Sequence, residues 1–182
     1  MYDSMQKSFA AYPDLTFEVL SKILQPRMKP DTKPTDAEVS KNMQLLEKAF
    51  AMYEAAQRPD LAVRLRGFQG RYLEAVGRRD DALRGYVLAS EKYASEHYGF
   101  VALFDRAVKI MQEDKKQDML LKYTGMMAAT VPEYQDDFNR KHDLKNGAWS
   151  HVVKAYVDVL RTAGRASDVN IWEARLQKKK QP

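Results

Sequence analysis

The sequence predicts an all-α fold: antiparallel helical hairpins stacked as a short solenoid or an irregular bundle. Three observations carry this. Apolar residues recur at steps of three and four almost throughout, and no segment alternates as a strand does. Glycine (8) and proline (7) are scarce in 182 residues, too few for the many turns of a sandwich or barrel. Helix starts and stops recur at short intervals, so consecutive helices are joined by tight loops and lie antiparallel. Hydrophobic residues make up 45% of the chain, enough to bury a core and to exclude a disordered chain.

The first element is a short amphipathic helix carrying Leu15, Val19, Leu20, Ile23 and Leu24. Pro26, Pro30 and Pro34 then fall too close together for helix interior, so residues 25–34 are read as an extended linker. Thr35-Asp36-Ala37-Glu38 is a capping box, in which hydroxyl and carboxylate satisfy two orphan N–H groups reciprocally. The helix it starts carries Val39, Met43, Leu46, Phe50 and Tyr53, and Arg58-Pro59-Asp60 ends it. Leu61, Leu65, Phe68, Tyr72 and Val76 line the next, closed by Gly77 where a left-handed residue is needed. Asp80 is read as the cap of a helix with Leu83, Tyr86, Val87, Ser90 and Tyr93.

After a break near 96–99, Val101, Phe104, Val108 and Met111 form another stripe. The polar run 112–118 turns the chain, and Met119, Leu120, Tyr123 and Met127 follow. Thr130-Val131-Pro132-Glu133 repeats the capping-box pattern, with Pro132 near a first helical position. Tyr134, Phe138 and Lys141 share a face of that helix, which Asn146-Gly147 stops. Trp149, Val152, Val153, Tyr156 and Leu160 mark a helix ended by Gly164. Ser167 is read as the cap of the last, with Val169, Trp172 and Leu176 inward. The organisation is an arm (1–34), a helical domain of about eight helices (35–178) and a basic tail (179–182).

Gly70 to Ala89 resembles a tetratricopeptide repeat. Gly70 lies in the first helix, Gly77 in the turn, and Ala82, Tyr86 and Ala89 give the small-x3-aromatic-x2-small pattern of the second helix. The resemblance implies two helices in close approach with the aromatic wedged between them. It also implies a scaffold that binds a peptide or protein segment in a groove. There are departures: Arg66 and Gln69 stand where the family places Trp and Leu, Tyr72 comes one residue early, and no proline closes the unit near Ala94. A second unit over 101–132 places Met119 in the Ala82 slot and Tyr123 in the Tyr86 slot. That offset is 37 residues (82 to 119), against about 34 for the family. Residues 163–169 echo residues 76–82 as a third copy of the turn.

Chemistry is mostly excluded. The absence of cysteine removes disulfides, thiolate metal sites and a cysteine nucleophile. His97, His142 and His151 match no metal spacing, although His142 and His151 could meet across a glycine turn. The acid pairs Asp80-Asp81, Glu113-Asp114 and Asp136-Asp137 fit helix ends and solvated faces better than paired general acids. Gly67-Phe68-Gln69-Gly70 matches the GxxG loop of a KH domain in letters alone, because no sheet surrounds it. The expected chain is therefore not an enzyme and needs no cofactor. The ten tyrosines suit core or groove positions. No apolar run is long enough to cross a membrane, and the first residues lack a signal-peptide layout, so a cytoplasmic location is expected.

The formal charge of +5 is uneven. Residues 58–79 hold six arginines against Asp60 and Glu74, and residues 138–182 hold ten basic residues against four acids. Acids predominate over 80–137. Arg64, Arg71 and Arg78 recur every seven residues, close to two helical turns, and are expected to share one face. Such a ladder can clamp carboxylates of an acidic peptide; pairing with Asp80, Asp81 or neighbouring acids is the plainer reading. Lys178-Lys179-Lys180 reads as a soluble tail.

The function expected is a non-enzymatic protein–protein interaction scaffold with a protein or peptide partner. The basic blocks also suit an RNA-binding helical repeat, although the acidic middle interrupts a phosphate track and makes nucleic acid the lesser partner. A regulatory segment of a larger enzyme is the third reading, and the arm (1–34) suits a piece of a longer protein or a segment docking on another subunit.

Overall fold

Thr35 starts the first helix as the capping box requires. Its Oγ1 accepts from the Glu38 N–H at 3.3 Å, and Glu38 Oε2 accepts from the Thr35 N–H at 2.8 Å. A computed structural model describes residues 34–133 and 147–178, together with Glu18 and Leu20. Among the described residues there are seven helices: α1 (Asp36–Ala55), α2 (Pro59–Ala75), α3 (Arg79–Tyr93), α4 (Phe100–Glu113), α5 (Gln117–Thr130), α6 (Ala148–Thr162) and α7 (Ala166–Lys178). No strand occurs among these residues, so the fold is all-α. No helix of the described residues is long and apolar enough to cross a membrane. The helix read over 15–24 is represented by helical Glu18, exposed, and Leu20, buried. The linker to residue 33, the helix read beyond Pro132, and residues 179–182 lie outside the described residues.

Four helix corners share one geometry. The helix ends at Ala55, Ala75, Glu113 or Thr162, and one residue with ψ near zero follows. The next residue is left-handed: Gln57 (φ 52°), Gly77 (84°), Lys115 (56°) or Gly164 (70°). The residue after that is basic. Arg58, Arg78, Lys116 and Arg165 donate their N–H groups back to the carbonyls of Tyr53, Leu73, Met111 and Leu160, at 2.9, 2.8, 2.8 and 3.0 Å. The left-handed residue donates to the carbonyl three positions back in every case, at 3.0–3.1 Å. These paired bonds satisfy carbonyls that a helix C-terminus otherwise leaves open. Each basic side chain then pairs with a nearby acid: Arg58 with Asp60, Arg78 with Asp81, Lys116 with Asp114, Arg165 with Asp168.

Several helix starts differ from the sequence reading. Asp80 and Ser167 do not precede their helices but sit in the first turns of α3 and α7. The preceding corner residue already supplies the first accepting carbonyl, as Arg78 does for Ala82 and Arg165 for Val169. Thr130 does not start a helix either. It closes α5, and its hydroxyl donates to the Met126 carbonyl at 2.9 Å. Gly147 stands at the start of α6, and the helix read before it lies outside the described residues.

The chain divides into two compact units, Met1–Ala89 and Ser90–Pro182. In the first, α1 packs on α2. The buried stripe of α1 is Val39, Asn42, Leu46, Ala49 and Tyr53. Asn42 is polar but satisfied: its Nδ2 donates to the Tyr72 hydroxyl at 2.7 Å. Gly70 of α2 faces Tyr86 of α3, and a Cβ at Gly70 would overlap that ring. Ala82 and Ala89 are buried beside it.

In the second unit α5 packs against both α4 and α6, and α6 packs against α7. Phe100, Phe104, Ile110, Met127, Trp149 and Val152 are buried in this core, each large side chain contributing about 1.5–3 kcal/mol. The Ser90 and Tyr123 hydroxyls, both buried, are 2.5 Å apart. The buried side of α4 is rotated from the sequence stripe: Val101 and Val108 are half-buried, while Leu103 and Ala107 are inside. Met119 is 49% exposed, so it does not occupy a packing slot like that of Ala82. The close approach recurs elsewhere, at Gly125 of α5, where a Cβ would stand 3.1 Å from the ring of Tyr156 of α6.

Candidate functional site

Helix α2 is buried on most of its circumference. Leu61, Leu65 and Phe68 are inside, and so are Gly67 and Gly70, which lie within the helix and form no loop. This excludes a GxxG nucleotide clamp. Its exposed positions are Arg64, Arg71 and Ala75. Arg64 and Arg71 are seven residues apart on one helix, so they stand on one stripe.

Arg78 does not join them. The helix ends at Ala75, and Gly77 turns the chain into its left-handed conformation before Arg78. Arg78 Nε donates to Asp81 Oδ2 at 2.7 Å. The seven-residue recurrence therefore crosses a helix corner, and the expected three-arginine face is a two-arginine stripe with a third arginine held at the corner.

The acids bordering the stripe are engaged. Arg58 donates to both carboxylate oxygens of Asp60, at 2.9 and 2.8 Å. These bonds, with the arginine charge, hold the Asp60 carboxyl below the usual carboxylate range. Glu74 accepts from the Tyr86 hydroxyl at 2.9 Å.

A polar cluster joins α1 to α2. Arg66 lies over the Phe50 ring at 3.6 Å and donates to Glu47 at 2.5 Å and to Gln69 at 2.6 Å. Gln69 Nε2 donates to Glu47 at 2.7 Å. Burial pushes the Glu47 carboxyl up, but the bonds from Arg66 and Gln69 and the arginine charge outweigh it and bring the pKa down. Arg66 and Gln69 are the two polar departures in the sequence pattern, and they serve each other.

His97 and His151 both make contacts within the chain. His97 stacks on Tyr98 with centroids 4.4 Å apart, and its Nδ1 accepts from the Gly99 N–H at 3.0 Å. His151 of α6 places Nε2 2.6 Å from Asp105 Oδ1 of α4, with its ring edge-on to Phe104. The hydrogen bond to Asp105 raises the His151 pKa against the opposing effects of burial and Lys154. His142 lies outside the described residues, as do Asp136 and Asp137. Glu113 is the last residue of α4, and Asp114 is its cap. Among the described residues no three His, Asp or Glu side chains stand together as a metal site. At the other end of the chain, Arg175 lies over Trp172 and Trp149, 4.5 and 5.6 Å from their centroids, and pairs with Glu133 at 3.0 Å.

The α1–α2 cluster and the His151–Asp105 pair were not legible in the sequence. Gln69 on an apolar face was the signal for the first; the second joins residues 46 positions apart and left none. Comparison with protein-family models, with curated proteins and with solved structures gave no match to this chain.

Proposed function

We propose that this chain is a non-enzymatic, tetratricopeptide-like scaffold that binds a peptide or protein segment along helix α2. The single observation that carries the reading is the Arg64–Arg71 stripe. Arg64 and Arg71 are exposed on a helix that is otherwise mostly buried. Guanidinium groups recognise carboxylates through paired, charge-assisted hydrogen bonds. The Gly70–Tyr86 approach, flanked by Ala82 and Ala89, supports the repeat-like reading. So does the recurrence of one corner geometry.

The test is an affinity pull-down from native extract with the wild-type chain and with R64A/R71A. Partners captured by the wild type and lost by the double variant support the proposal. Arg78→Ala, measured separately, is expected to leave capture unchanged. Capture unaffected by R64A/R71A, with circular dichroism showing an intact fold, overturns the site.

A further inference from the structure

We propose that Met119 and Met126 of α5 form a peroxide-sensitive modification site, converted to sulfoxides ahead of the other described methionines while the fold stays intact.

Sulfur content comes first. The chain holds nine methionines and no cysteine. No thiolate competes for a peroxide, so two-electron oxidation of sulfur falls on the thioethers.

Placement comes second. Met119 is 49% exposed and Met126 36%. They are seven residues apart on α5, about 20° from one another around the helix at 100° per residue. Exposed Lys122 lies on the same face. The other side of α5, with Leu120, Tyr123, Thr124, Met127 and Ala128, is buried. Met126 and Met127 are chain neighbours that point about 100° apart, so one side chain faces solvent and the other the core. Met111 is fully buried as well. Met43 and Met52 are half-buried, and the Met43 sulfur accepts from Gln69 Nε2 at 4.0 Å.

Consequence comes third. The thioether sulfur attacks one oxygen of hydrogen peroxide, an S–O bond forms and the O–O bond breaks. The departing hydroxide takes the proton of the sulfur-bound hydroxyl and leaves as water. Sulfur is oxidised by two electrons and the peroxide is reduced by two. The sulfoxide is polar. On the outer face of α5 it meets water, whereas at Met111 or Met127 it would be a polar group in the core. The exposed pair can therefore be oxidised without unfolding the chain. It is also open to methionine sulfoxide reductases, which return the thioether and water at the expense of a dithiol.

The experiment treats the folded full chain with hydrogen peroxide at neutral pH, quenches samples over time with free methionine, and follows each sulfur by peptide mass spectrometry. Trypsin places Met119 in the peptide 117–122, and fragment ions separate Met126 from Met127. Met119 and Met126 are expected to oxidise on the order of tenfold or more faster than Met111 and Met127, whose reaction waits on local opening. They are also expected to precede Met43 and Met52. In urea the rates should converge. The chain carrying both sulfoxides should melt as the untreated chain does by circular dichroism. Reductases of both stereospecificities with dithiothreitol should restore both residues. M119L/M126L should keep the melt and lose two fast oxygen additions from the intact mass. Met111 or Met127 oxidising in the folded chain as fast as the pair overturns the proposal. So does either member of the pair lagging behind Met43 or Met52, or a melt lowered by the two sulfoxides.

Discussion

The ring of Tyr86 occupies the space that a Cβ on Gly70 would need. This relationship sets how closely α3 can lie on α2, and it ties a backbone feature of one helix to a side chain of the next. Gly70→Ala forces either the ring or the helix to move, and overpacking of this kind costs about 1–3 kcal/mol. Urea denaturation should show that loss. Adding Tyr86→Ala to the glycine substitution should cost less than the sum of the two single changes, because the clash is then gone. Strict additivity would sever the link.

The four corners predict opposite effects for similar substitutions. Gln57 and Lys115 hold left-handed backbone without being glycine, which is strained for an L-residue. Gln57→Gly and Lys115→Gly are each expected to stabilise by about 0.5–1 kcal/mol. Gly77→Ala is expected to destabilise by about 1 kcal/mol, although nothing stands within 4 Å of its would-be Cβ. Thermal melts of the three variants would check the signs.

The His151–Asp105 pair makes stability depend on pH. The folded pKa of His151 is raised above its ordinary value of 6.5 by Asp105. The stabilisation is therefore complete below about pH 6.5 and is lost as pH rises through the raised folded value. Asp105 is about half exposed and His151 about a third exposed, so the effect is below about 1 kcal/mol and falls with salt. An NMR titration should place His151 above 6.5 in the wild type and lower in Asp105→Asn, where only the lowering effects of burial and Lys154 remain. The stability difference between the two proteins should shrink from pH 6 to pH 9.

The cluster of Glu47, Arg66 and Gln69 predicts acid sensitivity in the first unit. The Glu47 carboxyl titrates below its ordinary value in the fold, so its contribution is present above the unfolded pKa and is lost as pH falls through the folded one. Glu47→Gln should destabilise the chain at pH 7 and reduce the loss on acidification below pH 5. Equal acid unfolding of the two proteins, followed by circular dichroism, would remove the cluster from the account.

The fold class was legible because a 3.6-residue period survives in α1 to α7 whatever the tertiary contacts. The capping box at Thr35 was legible for the same kind of reason: it involves only neighbours in sequence. Gly77 and Gly164 announced two of the four corners, and the match between 76–82 and 163–169 is the same turn made twice. The other two corners were hidden because Gln57 and Lys115 reach the left-handed region without glycine. The stripe Arg64–Arg71 followed from periodicity. Arg78 did not belong to it, since a period read through a helix end carries no common face. Met119 fits the heptad-like pattern of α5 and is nevertheless exposed; periodicity names a side of a helix and leaves open how far a neighbour covers it.

The four corners have a consequence for divergence between related chains. Their shape is held by amide-to-carbonyl bonds and by one basic residue that finds an acid within three positions. Glycine, glutamine and lysine all occupy the left-handed position. A corner written in main-chain bonds places few demands on residue identity. Two proteins can therefore keep the same hairpin angles while little of their aligned sequence remains in common.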